Sequence, residues 1–249
     1  MTPGDDHYRR TITQRGATRF ARCGYQDRFD PFRLSRLPRL RALYEGLFRY
    51  GLDAKPCERL LDVGCGTGLY FEALAPFARQ IDALDASWDM LRVAREFCQA
   101  RNLNQLRLSV GALEALPYPN AVFDAVVALD TLHHVDDVET SLAEIGRVLK
   151  IGGRLVVFEP NILNPLMLAA HAFPREERRA LGRNRPAVLR KLLERRFHTV
   201  AHCGICDLIT ETEGVRRALL DAYVGLFRLL GVEAFYPRQC WVVEKRGGG

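Results

Sequence analysis

The sequence predicts an α/β protein whose parallel sheet is covered on both faces by helices. Three observations carry this. Apolar runs of strand length alternate with helical patterns from residue 58 to 159, the order that builds parallel strands with crossover helices. The first run ends in a glycine turn, Gly64-Cys65-Gly66-Thr67-Gly68. The next ends on an acidic residue, Asp85, 17 positions after Gly68.

Residues 1 to about 33 show no sustained periodicity and read as a mobile arm. After Pro38, the positions Leu40, Leu43, Tyr44, Leu47 and Phe48 recur at helical spacing, and this helix should stop near Gly51. Strands are expected at 58–63, 80–84, 105–110, 122–129 and 153–159, with helices at 69–76, 87–101 and 138–149. Ser87 is placed to cap its helix, and Gly152-Gly153 marks the turn into the fifth strand. Simple alternation then ends. An apolar stretch from Asn161 to Phe173 is interrupted by Pro165, and a basic helical stretch follows to Arg196. A sixth strand is expected at 197–203. Val215, Leu219, Ala222, Leu226, Leu229 and Leu230 place an apolar stripe on one helix, and 239–244 reads as a last strand.

At 249 residues, 48% hydrophobic and 27% charged, the chain can bury a sizeable core as one domain without disulfides. No run of 18 apolar residues occurs, which argues against a spanning helix, and Met1 to Arg10 lacks the apolar stretch of a secretory signal. Seven cysteines, an odd number in scattered positions, suit free thiols in a reducing compartment, so a cytoplasmic location is expected. The net charge of +6 invites a nucleic-acid partner. However, the arginines of 175–196 are interleaved with Glu176, Glu177 and Glu194 as on a solvated helical face, and no nucleic-acid module signature is present.

Glycines in a strand-to-helix turn let bare backbone approach a ligand, and a carboxylate ending the neighbouring strand can accept bonds from ribose hydroxyls. A nucleoside-containing cofactor follows. The spacing is G-x-G-x-G, with Leu69-Tyr70-Phe71 where a dinucleotide site would carry its third glycine. The run Leu61-Asp62-Val63-Gly64-Cys65-Gly66-Thr67-Gly68 resembles the first motif of class I S-adenosylmethionine-dependent methyltransferases. Three further stretches resemble the same family in the expected order. They are Gly111 to Pro119 (the adenine-side loop), Phe123 to Val127 (the fourth strand) and Arg147 to Leu155 (a helix, turn and strand). The likeness runs from Arg59 to Pro160 and is to the small-molecule branch that includes ubiquinone- and menaquinone-pathway enzymes. It implies a seven-stranded, mostly parallel, doubly wound Rossmann-like sheet whose last strand is antiparallel. The domain organisation expected is an arm and substrate-lid helix over 1–52, then a methyltransferase domain over 53–249. That domain would carry a lid-like helical insertion at about 161–196 and a helix at about 211–231.

By this resemblance the cofactor is S-adenosylmethionine. Gly64, Cys65, Gly66, Thr67 and Gly68 would lie along its methionyl and ribose portions, and Asp62 would support the loop or reach the methionyl amino group. Asp85 would take the ribose hydroxyls, and Ala86 and Met90 would flank adenine. Backbone amides of Ala112 and Leu113 would read the adenine edge, with Leu129 lining the cleft. Ala112 departs from the family, which commonly has an acidic residue there; one lost charge-assisted hydrogen bond weakens binding by roughly 1.5–3 kcal/mol.

The stretch Leu129 to His134 follows the fourth strand and would face the transferred methyl group. His134, ahead of His133, is the expected general base, since imidazole accepts a proton near neutral pH. Asp130, His133 and His134 also resemble an acidic-x-x-acidic-His cation site with a histidine in one acidic place; no metal is assigned. Cys203 and Cys206 form a lone C-x-x-C, better read as two buried or edge thiols than as zinc or redox ligands. The arm, the run Leu163 to Phe173 and the helix around Leu219 to Leu230 would roof the cleft, favouring a hydrophobic or amphipathic small-molecule acceptor. Contact of Leu163 to Phe173 with a membrane surface is a thin case. The rival functions are a catalytically idle binding or scaffold protein and an RNA methyltransferase. Oligomeric state is not legible.

Overall fold

The structure is a computed structural model that describes residues 29–53, 57–172, 180–206 and 214–247. Its centre is one seven-stranded sheet in the order β3-β2-β1-β4-β5-β7-β6. The strands are β1 (Cys57–Val63), β2 (Ala78–Asp85), β3 (Leu106–Val110), β4 (Phe123–Leu129), β5 (Leu149–Pro160), β6 (Phe197–Ile205) and β7 (Arg238–Lys245). Pairings among β1 to β5 are parallel, whereas β7 runs antiparallel to both β5 and β6. The expected architecture, including the antiparallel last strand, is what the chain adopts.

Strand alternation decides which side chains meet which layer. In β1, Leu60 joins the core on one face and Leu61 the core on the other, and both are fully buried. The first layer contains α1 (Arg33–Arg36), α2 (Pro38–Gly51), the one-turn α3 (Phe71–Leu74) and a 3₁₀ turn, Ala75–Phe77. Leu40, Tyr44 and Phe48 of α2 pack into the same core as Leu60, Ile81 and Phe158, with the Phe48 and Phe158 rings stacked at 5.4 Å. The helix expected to be a lid is therefore part of the domain core. Residues 29–33, expected within the arm, are packed too: Arg33 and Leu34 are wholly buried, and Phe32 meets Phe97 edge-on at 4.9 Å. The arm up to residue 28 lies outside the described residues.

Beyond β2 come α4 (Trp88–Ala100) and, after β4, α5 (Val138–Val148). Ser87 caps α4 by accepting from the Met90 amide, and Asp137 caps α5 by accepting from that of Thr140. The helix expected at 69–76 shrinks to a single α-turn and the 3₁₀ turn at Pro76, because Pro lacks the amide that would continue it.

The insertion between β5 and β6 contains α6 (Pro165–Ala172), α7 (Ala180–Arg183) and α8 (Pro186–Glu194). Leu189 and Leu193 anchor α8 in the second core. The last helix, α9 (Gly214–Leu229), differs from expectation. The stripe read from the sequence faces outward, with Val215 77% and Leu229 84% exposed. Its inward contacts come from Tyr223, whose hydroxyl meets Asn164 and the Leu166 amide, and from Phe227, stacked on Phe235. The helix is apolar on both sides, so periodicity alone could not choose the buried one.

Candidate active site

Ligands of doubly wound sheets sit beyond the carboxyl ends of the strands where strand order reverses. Here β1 lies between β2 and β4, so the loops after β1, β2 and β4 converge. The loop after β1 folds back on β2, with the amides of Gly64 and Cys65 both donating to the Leu84 carbonyl. Gly64, Gly66 and Gly68 all have positive φ. A Cβ at Gly64 would run into the Thr131 side chain, and one at Gly68 would meet the Phe71 ring at 2.6 Å. A Cβ at Gly66 would meet nothing within 4 Å. Gly64 and Gly68 are thus glycine for packing, and Gly66 borders open space.

Asp85 joins this loop directly. One carboxylate oxygen accepts from the Gly66 amide and the other from the Ser87 amide, each at 2.8 Å. Its backbone carbonyl accepts from Gly111, which brings Ala112 and Leu113 to the same rim, Ala112 exposed and Leu113 buried. Ala86 is exposed and Met90 buried on the first turn of α4. Asp62 is buried beneath the loop, and burial, then the charge of Asp85, holds its carboxyl well above the usual range. Burial likewise pushes the Cys65 thiol up, so it is an inert packing group. The Thr67 hydroxyl donates to the Phe29 carbonyl at 2.7 Å, fastening residues 29–36 to the glycine loop.

After β4 the chain turns at Asp130, whose φ of 53° is unusual for a non-glycine residue. The turn is held by Glu159, at the end of β5 and fully buried. One of its oxygens accepts from the amides of Thr131 and Leu132 at 3.1 and 2.7 Å. The other lies 2.5 Å from Nδ1 of His133. With Glu159 ionised, that hydrogen-bond pattern assigns the proton to Nδ1 and leaves the Nε2 lone pair as the imidazole acceptor. His133 is buried; His134, the base favoured from sequence, is exposed with its ring 3.9 Å from that of His133. Glu159 thus pairs with His133, the histidine placed second from sequence.

Arg238 opens β7 and is buried. It donates to Asp130 at 2.5 Å and to the hydroxyls of Tyr44 and Tyr70 at 2.7 and 3.3 Å. The Asp130 carboxylate is thus engaged by a guanidinium and by Tyr70, and among the described residues no group of three or more histidine, cysteine or acidic side chains is arranged to hold a metal ion. Sequence reasoning missed Glu159, Arg238, Tyr44 and Tyr70. Glu159 carried a readable signal, a carboxylate closing an apolar strand; Arg238 carried none until the Pro160–Arg238 pairing was formed.

Residues 61–157 match the family described as a methyltransferase domain. Over this stretch the chain is similar to a methyltransferase domain. The chain is 32% identical over 114 residues to an uncharacterized methyltransferase, YcgJ, of Bacillus subtilis, covering 46% of this chain and 45% of that protein. It is 42% identical over 108 residues to the demethylmenaquinone methyltransferase of Thermus thermophilus, covering 42% and 48%. The matched region thus spans less than half the length of these curated relatives. Among solved structures, the N-methyltransferase NodS of Bradyrhizobium japonicum, in complex with S-adenosylhomocysteine, has a TM-score of 0.59 at 16% identity. It covers 88% of this chain and 93% of NodS, and at that identity it shares the fold. The matched segment holds the glycine loop, Asp85 and both histidines; Glu159 lies just past its end, and Arg238 comes from the last strand, far beyond it in sequence. No helix among the described residues is long and apolar enough to cross a membrane.

Proposed function

We propose that this protein transfers a methyl group from S-adenosylmethionine to a hydrophobic or amphipathic small molecule of quinone-like character. The observation that carries the reading is the contact of Asp85 with the Gly66 amide. It joins a carboxylate suited to ribose hydroxyls to a glycine loop with open space beside it. Roughly four acceptor positions on a carboxylate let ribose share it with the two amides. Asp62, under the loop, would meet the methionyl amino group. Gly64 to Gly68 would line the methionyl and ribose portions, Ala86 and Met90 would flank adenine, the amides of Ala112 and Leu113 would read its edge, and Leu129 would close the floor.

When bound, the cofactor supplies an electrophilic methyl on a sulfonium. The chain's part is to hold the acceptor in line and to take its proton. His133 is the base proposed, accepting at Nε2 while Glu159 keeps Nδ1 protonated and steadies the imidazolium that forms. The acceptor class is supported by the similarity to demethylmenaquinone methyltransferases and by the apolar residues of α6, whose His171 ring lies 5.8 Å from that of His133.

The test has two parts. Calorimetry with S-adenosylmethionine and S-adenosylhomocysteine should show binding, and Asp85→Ala should weaken it by roughly 10- to 100-fold, the worth of one charge-assisted hydrogen bond or slightly more. No heat with either ligand would overturn the cofactor reading. Radiolabelled methyl transfer to a reduced naphthoquinone should then be seen; binding without such transfer would overturn the acceptor class alone.

A further inference from the structure

Two cysteines outside the candidate site face each other across the outer pair of strands. In the antiparallel register of β6 and β7, Cys203 stands directly opposite Cys240. Directly opposed residues have Cα atoms about 4.5 or 5.5 Å apart, depending on the pair type, and both values fall in the range a disulfide spans. Directly opposed residues share one face of the sheet, so the two thiols are neighbours. Both are reduced in this structure. The C-x-x-C spacing visible in the sequence is a distraction: the Cys206 thiol lies beyond the end of β6, donating to the Val224 carbonyl.

From this opposition we infer that Cys203 and Cys240 are a dithiol that closes to a cross-strand disulfide on reaction with a hydroperoxide. Position gives the two sulfurs different roles. Cys203 is half-buried on the edge strand β6, and Cys240 is buried within β7. The neighbouring Cys240 lowers the pKa of the Cys203 thiol, while Cys203 and burial raise that of Cys240. The Cys203 thiolate attacks one peroxide oxygen, the O–O bond breaks, and hydroxide leaves, giving a sulfenic acid. Cys240 sulfur then attacks the Cys203 sulfur. The S–S bond forms, the S–O bond breaks, and hydroxide takes up the Cys240 proton as water. With hydrogen peroxide, two thiols are oxidised, one peroxide is reduced, and two waters form, the first hydroxide taking up the proton that Cys203 released on ionising.

The bond would tie the sheet's edge strand to β7, whose first residue, Arg238, lies two positions from Cys240 and on the same face. It needs no bound cofactor, so its test is independent of the methyl-transfer reading. The full chain is treated with hydrogen peroxide, then examined by thiol titration under denaturing conditions and by intact and non-reducing peptide mass spectrometry. Two of the seven thiols should be lost, with a mass decrease of about 2 Da and a peptide link between positions 203 and 240, reversed by dithiothreitol. Cys206→Ala should oxidise as the parent does. Cys203→Ser and, since Cys240 is in the core, the milder Cys240→Ala should both lose the link. A link between Cys203 and Cys206, a Cys203 sulfinic acid without any link, or unreacted thiols would overturn the inference.

Discussion

Glu159 changes the meaning of the histidine pair. A carboxylate with no exposure holds two amides and one imidazole nitrogen, so it orients His133. If His133 takes the acceptor's proton, His133→Ala should lower kcat by about 10²–10⁴. Glu159→Gln should lower it by a smaller factor and move the acidic limb of the pH–rate profile to lower pH, since the imidazolium loses its neighbouring carboxylate. Cofactor affinity should stay within about threefold for both, as read by calorimetry, and His134→Ala should leave kcat within the same factor. Asp62 gives a prediction in stability. Its carboxyl is raised by burial and by Asp85, so the folded state favours the protonated form. That contribution is complete below the unfolded value of about 3.9 and is lost as pH rises toward the folded one. Urea unfolding should therefore show Asp62→Asn gaining stability relative to the parent as pH rises from about 4 to 8.

At the scale of elements, the glycine loop separates packing from binding. Gly64 combines a φ of 69° with the Thr131 side chain, whereas Gly66 has a φ of 55° and open space. Gly64→Ala should cost about 3 kcal/mol or more, from strain and collision together. Gly66→Ala should cost about 1 kcal/mol yet weaken S-adenosylmethionine binding at least about tenfold, because its added methyl occupies the ligand's side. Denaturant curves read the first and calorimetry the second; equal stability losses would show that Gly66 is packed like its neighbour. Both strands flanking this loop were legible from sequence. A buried parallel strand is a short apolar run, and Asp85 interrupts such a run at the carboxyl end. Less legible were the short α3, where Pro76 stops the helix early, and α9, whose two apolar faces give periodicity no preferred side.

Across the whole molecule, the first helices are part of the domain core. Phe48 of α2 is fully buried among the rings of Phe158, Tyr70 and Phe77. Phe48→Ala should destabilise the protein by about 3–5 kcal/mol in urea unfolding, a loss that a hinged lid would not produce. The same layer carries Tyr44 and Tyr70 to Arg238, so the candidate acceptor side is assembled from α2, the glycine loop, β4 and β7 at once.

The amino-acid order alone determined the alternating architecture, the glycine turn and the carboxylate that ends β2, because each depends on side-chain pattern within a few residues of itself. Tertiary structure alone decided which histidine is oriented, what Asp130 binds, which face of α9 is outward and which cysteine faces Cys203. Those outcomes depend on strand register and on contacts between residues such as His133 and Glu159, 26 apart, or Asp130 and Arg238, 108 apart. Local periodicity carries no information about which distant strand end will lie alongside, since that is set by the packing of the completed sheet.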